Sequence, residues 1–384
     1  MGVAVRPTNP AWQATPVDLR SDVLQIAKDL IETPSVSRSE AALADVVEQA
    51  LATCSHLEVI RDGNTVIART QLGRQQRVVI GGHLDTVPSS GNDRAIVVSA
   101  GQPAPVADSA GSRDVTEDRL YGLGACDMKG GLAVQLKLAA TVDVPTRDVT
   151  YVFYECEEIE AEFNGLKRIS ETRPELLHGD FAVLMEPSGA IVEAGCQGTM
   201  RIEVTTRGRR AHTARAWMGT NAIHGLGEAL ARLNSYTPRE PIIDGLRYRE
   251  GLQAVFINGG VAGNVVPDHA VLTINHRFAP DRSAAEAEAH LREVFDGFDV
   301  TVVDVADGAK PGLSHPAAAA FVTATGGKVE PKFGWTDVAR FTALGIPAVN
   351  FGPADPSLAH TPHEFVRIAD LYAVESQMRT WLTS

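Results

Sequence analysis

Cysteine is scarce in this chain of 384 residues: there are four, and no two of them form a Cys-x-x-Cys pair. The sequence therefore indicates neither a disulfide scaffold nor a thiolate zinc site, and a reducing compartment suits it best. No stretch approaches the roughly 18 consecutive apolar residues of a membrane-spanning helix, and the N-terminal segment has no apolar run typical of a secretion signal. We therefore expect a cytoplasmic protein.

Basic residues are also fewer than acidic ones. Lys and Arg number 35 against 48 Asp and Glu, which gives a formal net charge of −13 at pH 7. Such a chain repels nucleic acid and anionic membranes, so neither is expected as a partner. The hydrophobic fraction of 44% and the charged fraction of 22% are typical of a soluble globular protein, and the length favours two or three domains.

Apolar runs alternate with loops and a helical pattern in the first half of the chain. Runs typical of buried strands occur at Val78–Gly81, Val149–Tyr154 and Phe181–Met185, with a predicted helix at Leu132–Ala140. This order predicts an α/β fold with a central mixed sheet.

A further helix is predicted shortly before this region. Ser37 precedes Glu40 by the spacing of a capping box, and apolar residues recur at helical intervals through Leu51. We therefore expect Ser37 and Glu40 to cap the first turn of that helix.

The pattern changes at about Thr199. Alternating strands and two helices follow, which predicts an α+β domain with an antiparallel sheet. The stretch Gly308–Pro316 has the glycine and proline content of a returning linker. We therefore predict a discontinuous first domain, residues 1–198 and 312–384, and an inserted domain, residues 199–311.

Two polar residues follow the predicted strand Val78–Gly81. One residue separates His83 from Asp85, so their side chains can point the same way. They lie at the carboxyl end of the strand, where α/β sheets place ligand sites, and a carboxylate beside an imidazole can orient that imidazole toward a metal. A purely structural His–Asp pair in a loop is an equal alternative.

Carboxylates also follow the next two strands. Glu157 and Glu158 belong to an acidic run directly after Val149–Tyr154, and Glu186 follows the run that ends at Met185. A solvated acidic surface is the usual explanation, but adjacent carboxylates at the end of a buried strand repel each other unless a cation offsets the charge. With a divalent metal there, one carboxylate could bind it while the other moves protons.

Two further candidates are isolated in the sequence. Asp127 lies in a glycine-rich turn before a predicted helix, and His360 lies in a loop near the end of the chain. Alone, Asp127 is equally well interpreted as a helix N-cap, and His360 as a surface histidine. Nitrogen and oxygen ligands without thiolate suit Zn²⁺, Co²⁺ or Mn²⁺. The candidates together suffice for a two-metal site with one bridging carboxylate: His83, Asp127, Glu158, Glu186 and His360.

An ordered series of motifs extends over nearly the whole chain. In order and spacing it resembles the M20 family of metallo-aminoacylases and peptidases. The resemblance implies a zinc-peptidase-like catalytic domain, an inserted lid and dimerisation domain, and a homodimer. The motifs are HLDTVP at 83–88, ACDMKGG at 125–131, CEE at 156–158, MEP at 185–187, RAH at 210–212, GNVVP at 263–267 and AHTPHE at 359–364.

The resemblance also implies a role for each metal ligand. His83 and Glu186 would bind one zinc ion, and Glu158 and His360 the other. Asp127 would bridge the two ions, and the peptide bond after it is commonly cis in this family.

Other residues take catalytic or substrate-binding roles by the same resemblance. Glu157 would be the general base and acid, and Asp85 would orient His83. His212 would reach the active site of the partner subunit and polarise the substrate carbonyl. Substrate contacts are implied for Asn264, Arg277, Gly334 and Thr336.

Five further segments narrow the resemblance: YECEEIEAEFNGL at 154–166, EAGCQGTM at 193–200, YREGL at 248–252, GGVAGNVVPD at 259–268 and GWTDVARF at 334–341. In these segments the sequence most resembles the branch of the family that removes succinate from N-succinyl-LL-2,6-diaminopimelate in the synthesis of lysine and peptidoglycan precursors. Between Thr199 and Thr220 there are five arginines and one glutamate, a local net charge of +4. If this segment closes over a site, it favours an anionic small-molecule substrate. Arginines that keep an exposed strand edge soluble are the commoner case.

Departures from the usual pattern of this branch leave other substrates open. The branch often has Arg-Arg-Gly-Ser where this chain has Cys196-Gln197-Gly198-Thr199, and His363 replaces a more usual Asn or Asp. Acetylornithine deacetylase, aminoacylase and carboxypeptidase activities are the alternatives within the family, and a non-catalytic metal- or ligand-binding protein is the alternative outside it. A pure binding site, however, has no need for the unligated Glu157.

Overall fold

The computed structural model describes residues 16–105 and 114–384. The opening residues, on which the expectation of no secretion signal rests, lie outside this described part of the chain.

The chain divides into two compact units. The first unit comprises the chain up to Val192 together with Ala320–Lys328 and Asn350–Ser384, and the second comprises Glu193–Ala319 and Val329–Val349. The predicted insertion, residues 199–311, lies inside the second unit.

Helices occur in both units. Within the described residues, no helix combines the length and the apolar character needed to cross a bilayer. Short 3₁₀ turns occur at Pro174–Leu176, Thr213–Met218 and Pro356–Leu358. The α-helices are α1 Val23–Ile31, α2 Ala41–Ala52, α3 Lys129–Thr141, α4 Gly165–Thr172, α5 Ala222–Ser235, α6 Ala284–Val294, α7 Pro316–Ala324, α8 Val338–Ala343 and α9 Ile368–Thr383.

The strands are short, apart from several in the second unit. They are β1 Glu58–Asp62, β2 Thr65–Arg69, β3 Arg77–His83, β4 Ile96–Val98, β5 Arg119–Tyr121, β6 Asp148–Tyr154, β7 Phe181–Leu184, β8 Val192–Ala194, β9 Gly198–Arg207, β10 Ala211–His212, β11 Ile242–Ile243, β12 Leu246–Arg247, β13 Gly251–Gly259, β14 Val265–Val266, β15 His269–Phe278, β16 Asp299–Ala306, β17 Val329–Pro331, β18 Ala348–Asn350 and β19 Phe365–Arg367.

The sheet of the first unit is mixed, as predicted. Five neighbouring strands of this sheet follow the order β1-β2-β6-β3-β7, and β3 is parallel to both β6 and β7. β2 pairs with β1 and β6 in antiparallel register. Every residue of β6 is buried, and α3 packs against β3 and β6. Strands buried in this way have continuous apolar runs, which is why the sequence predicts them well.

The capping-box prediction for α2 is wrong. Glu40 is the N-cap residue, and no side chain caps the first turn. The Ser37 hydroxyl donates instead to the Asp85 carboxylate at 2.8 Å. The Glu40 carboxylate accepts the N–H groups of Arg38 at 2.8 Å and Cys156 at 3.2 Å. The side chains of Ser37 and Glu40 therefore bind to partners outside α2 and do not provide the helix cap that the local spacing predicted.

The second unit contains a four-stranded antiparallel sheet, in agreement with the predicted α+β pattern. Its strands follow the order β13-β15-β9-β16, and the helices α5 and α6 pack against it. Buried and less buried residues alternate along most of β9, as expected for a sheet whose core lies on one face. That core includes Ile202, Val204, Leu226, Ile274 and Leu291.

Candidate metal centre

Three parallel strands of the first unit end at one edge of the sheet. β3 ends at His83, Glu157 and Glu158 follow β6, and Glu186 follows β7. The register places His83 opposite Tyr154, the last residue of β6. The carboxyl ends of parallel strands form the usual ligand-binding edge of α/β sheets.

Asp127 lies between two imidazoles. Its Oδ1 is 3.1 Å from Nε2 of His83, and its Oδ2 is 3.5 Å from Nε2 of His360. The same His360 nitrogen lies 2.9 Å from Oε1 of Glu158, and ligand atoms of His83, Asp127 and Glu158 all lie within 4.8 Å of one another. Two carboxylate oxygens that face two different imidazoles provide the geometry of a bridging ligand.

The close approach of these groups shifts their pKa values. Burial alone would lower the pKa of His83, but hydrogen bonds to carboxylates, chiefly Asp127, and the charge of Glu186 hold that pKa well above its usual value. Contacts with Asp127 and Glu158 raise the pKa of His360 to about 10. Burial would raise the pKa of Asp127, yet the two imidazoles hold it far below its usual range.

The donor set fits a divalent cation. The carboxylates outnumber the imidazoles, and each imidazole directs Nε2 at a carboxylate oxygen. The raised imidazole pKa values show that this cluster favours positive charge, and a metal ion that displaces the proton would supply that charge. Imidazole nitrogen and carboxylate oxygen without thiolate are the ligands of zinc and related first-row ions.

A main-chain contact orients His83. Its Nδ1 lies 3.0 Å from the carbonyl oxygen of Asp85, whereas the nearer carboxylate oxygen of Asp85 is 3.5 Å away. Because a carbonyl oxygen only accepts, Nδ1 carries a proton, and the lone pair of the neutral ring is on Nε2, which faces Asp127.

The Asp85 carboxylate positions the loop after β6. It accepts the N–H of Glu157 at 2.9 Å and that of Glu158 at 3.1 Å, in addition to the Ser37 hydroxyl. Burial opposes ionisation of Asp85, but His83 and these two N–H groups keep its pKa below the usual value. One buried carboxylate therefore holds the main chain of both candidate glutamates.

Close packing places Asp127 beside the end of β7. A Cβ on Gly131, in the first turn of α3, would lie 2.1 Å from the carbonyl oxygen of Met185, so only glycine permits this approach. The peptide bond between Asp127 and Met128 is cis, as the family resemblance implied. Met128, not Asp127, is the N-cap residue of α3.

The residues that support the ligand loops were missed by sequence reasoning. Glu364 accepts the N–H groups of Cys126 and Asp127, both at 3.0 Å, and burial raises its pKa to about 7. The AHTPHE motif contained Glu364, so a signal was available. For Glu40, which contacts Cys156, the sequence offered only the misleading helix-cap spacing.

The other predicted site residues lie in the second unit. Thr213, next to His212, donates its N–H to the carbonyl of Asn264 at 2.9 Å, so these two predicted residues are neighbours. Arg277 is exposed on β15, and the carbonyl of Thr336 accepts the Cys196 thiol at 3.7 Å. Gly334 is exposed. The substrate roles of this set stay predictions.

Comparisons with known proteins agree with the motif series. The model of peptidase family M20/M25/M40 matches residues 79–382. The chain is 52% identical to DapE of Mycobacterium tuberculosis over 369 residues, which cover 95% of this chain and 99% of that protein. It is 42% identical to the succinyl-diaminopimelate desuccinylase of Corynebacterium glutamicum over 378 residues, covering 96% and 98%.

A solved structure shares the fold. The tripeptidase of Staphylococcus aureus aligns with a TM-score of 0.72 at 20% identity, over 95% of this chain and 98% of that one. The predicted fold class and the predicted family are confirmed, because the family match and both relatives extend over most of the chain. The protein belongs to peptidase family M20/M25/M40.

Proposed function

We propose that this protein is a metal-dependent hydrolase that converts N-succinyl-LL-2,6-diaminopimelate and water into succinate and LL-2,6-diaminopimelate. The observation that carries the chemistry is the position of Asp127 between His83 and His360. The relative that is 42% identical over 96% of this chain is named for desuccinylation of that substrate, which supports the assignment of the acyl group.

Two zinc ions suit the five ligands. His83 and Glu186 would hold one ion, and Glu158 and His360 the other, with Asp127 shared between them. When bound, such ions polarise a carbonyl group and lower the pKa of water. Co²⁺ and Mn²⁺ suit the same ligands.

Glu157 is the proposed general base and acid. Its main chain is fixed by Asp85 at 2.9 Å, and it is half-buried, so water can reach it. The carboxylate takes a proton from the attacking water as the new C–O bond forms at the amide carbon. It then delivers the proton to the amine nitrogen as the C–N bond breaks.

A second copy of the chain would complete the site. Residues 253–259 of the edge strand β13 are all exposed, among them Phe256 at 64% and Ile257 at 54%. An exposed apolar edge strand is a template for pairing with another chain. A homodimer that covers β13 would let His212 of one protomer polarise the substrate carbonyl in the other, with Asn264, Arg277, Gly334 and Thr336 in contact with the substrate. The cytoplasm is the proposed location.

The experiment is a substrate panel run with metal analysis. The purified protein is assayed on N-succinyl-LL-2,6-diaminopimelate, N-acetylornithine, an N-acetyl amino acid and a dipeptide, before and after chelation. We expect turnover of the succinyl substrate, loss on chelation and recovery with Zn²⁺. Preferred turnover of acetylornithine would reject the substrate, and metal binding without any turnover would favour the non-catalytic alternative. Light scattering should give twice 41.0 kDa for the homodimer.

A further inference from the structure

A cationic pocket lies in the second unit, on the loop that carries His212. The cavity has a volume of about 640 Å³, within the range of small-molecule sites. Its lining residues are Arg209, Arg210, Ala211, His212, Arg215, Trp217 and Met218.

The loop around the pocket is closed by its own main chain. Arg209 and Thr220 exchange two N–H···O bonds of 2.9 Å each, and His212 pairs with Val265 across β10 and β14. A Cβ on Gly219 would lie 2.8 Å from the Arg209 carbonyl oxygen, so the two ends of the loop meet closely. The main chain that carries these side chains is therefore fixed around one cavity before any ligand binds.

The three arginines of the pocket are not equivalent. Arg210 places Nη2 2.8 Å and Nε 3.1 Å from Oδ1 of Asp268, so its charge is neutralised. Arg209 and Arg215 are exposed and form no ion pair with any residue in the described ranges. Two guanidinium groups of the pocket are thus available to an anion.

His212 adds a hydrogen-bond donor. Its Nδ1 accepts the N–H of Ala214 at 3.0 Å. In the neutral ring the proton is then on Nε2, which can donate to a carbonyl oxygen. The pocket therefore combines one N–H donor of an imidazole with two guanidinium groups.

Large apolar side chains complete the lining. Trp217 is 79% exposed and Met218 is 55% exposed. Exposed apolar groups beside a few polar ones are typical of ligand-binding sites, and the two unpaired guanidinium groups favour a ligand that is an anion.

We propose that Arg209 and Arg215 bind the terminal carboxylate of the substrate's acyl group, while Trp217 and Met218 pack on its methylene groups. This inference rests on the proposed function, in which His212 contacts the amide carbonyl. In a succinyl group, two methylenes separate that carbonyl from the carboxylate, which matches a donor, an apolar surface and a cation in one pocket. The α-carboxylate next to the scissile amide is separated from the amide nitrogen by one CH carbon and by no methylene, and the distant α-carboxylate of diaminopimelate lies beside an ammonium group.

The test compares two substrates that differ only in the acyl carboxylate, N-succinyl- and N-butyryl-LL-2,6-diaminopimelate. In the double variant Arg209→Gln/Arg215→Gln, kcat/KM for the succinyl substrate should fall roughly 100-fold, because charge-assisted hydrogen bonds are lost. Turnover of the butyryl substrate should be unchanged. The Arg209→Lys/Arg215→Lys variant should regain part of the loss.

Arg210→Gln is the matched control, since it removes a charge from the same pocket that is already paired. It should change kcat/KM for either substrate by less than about fivefold. Equal losses on both substrates in the double variant, or no loss on either, would overturn the inference.

Binding separates this inference from the proposed function. Succinate and butyrate are titrated calorimetrically into the metal-loaded wild type and the double variant. Tighter binding of succinate than of butyrate that disappears in the double variant supports the carboxylate site, even if the panel finds another physiological substrate. Equal affinity of both proteins for succinate refutes it, even if the desuccinylase activity is found.

Discussion

Oε1 of Glu364 accepts the main-chain N–H of Asp127 at 3.0 Å, across 237 residues of sequence. The same oxygen accepts the N–H of Cys126 at 3.0 Å, and Glu364 is 2% exposed. A buried N–H group without an acceptor costs free energy, so these two hydrogen bonds stabilise the loop in this conformation. Glu364 therefore fixes the peptide that carries the proposed bridging ligand, and it acts on the metal centre as a positioning residue.

Replacing Glu364 with Ala should weaken metal retention by about 10- to 100-fold, because two buried N–H groups lose their acceptor. Glu364→Gln keeps Oε1 and should retain most of the affinity. Competition with a chelator measures the affinity of both variants and the wild type. If Glu364→Ala bound metal as tightly as the wild type, the loop would hold its shape without this residue.

Asp85 fixes the loop after β6 in the same way, because its carboxylate accepts the N–H groups of Glu157 and Glu158. Asp85→Asn can accept one of the N–H groups of Glu157 and Glu158, but its NH₂ group cannot accept the other. We expect kcat to fall about 10- to 100-fold with little change in KM, because the carboxylate that moves protons loses its fixed position.

Ser37→Ala is the control for Asp85→Asn, because it removes the hydroxyl donor at 2.8 Å and leaves both N–H contacts. Its kcat should fall by less than about tenfold. Steady-state kinetics at saturating metal measure both variants. A wild-type kcat in Asp85→Asn would contradict the positioning role.

Glu157→Gln should retain metal and lose turnover. The amide cannot accept a proton from water, so kcat should fall by about 10²- to 10⁴-fold, while the proposed ligands are untouched. Glu160→Gln removes a charge from the same acidic run at an exposed position and should leave kcat near the wild-type value. Metal analysis and kinetics are run on both proteins, and an unchanged kcat in Glu157→Gln would refute the assigned role.

The local part of the fold could be predicted from the sequence. The predicted helix Leu132–Ala140 falls within α3, and the apolar run Val149–Tyr154 falls within β6. Such elements are specified by periodicity and burial within a few residues. The polar residues that follow the parallel strands share an edge for the same reason, because strand direction determines where each strand ends.

The contacts between distant segments could not be predicted in this way. Ser37 forms a hydrogen bond with Asp85, 48 positions away, and Glu40 forms one with Cys156, 116 positions away. The spacing of apolar residues along the sequence gives no information about such distant pairs. A local rule therefore assigned both to a helix cap. For His83, the resemblance named Asp85 as the orienting residue, but the carbonyl at 3.0 Å is nearer than the carboxylate at 3.5 Å. Sequence similarity identifies which residue has a role, but it does not show whether the main chain or the side chain of that residue makes the contact.

His276 provides a test of stability that is independent of the metal centre. It is fully buried in the second unit. Its Nδ1 donates to the carbonyl of Gly251 at 3.1 Å, and its Nε2 has no hydrogen-bond partner within residues 16–105 and 114–384. Burial, reinforced by the charges of His290 and Arg282, lowers the pKa of His276 to about 4.

The pH dependence of stability follows from this lowered pKa. Between about pH 6.5, the usual histidine value, and the native value of about 4, the unfolded chain binds the proton and the native chain does not. The free energy of unfolding should therefore fall as the pH is lowered through this window, by up to about 2 kcal/mol at pH 5 from His276 alone. Denaturant titrations at pH 7 and pH 5 should show a smaller fall in His276→Asn than in the wild type. His269→Asn, at an exposed position of the same strand, should keep the wild-type difference, and an equal fall in all three proteins would show that His276 is not the group responsible.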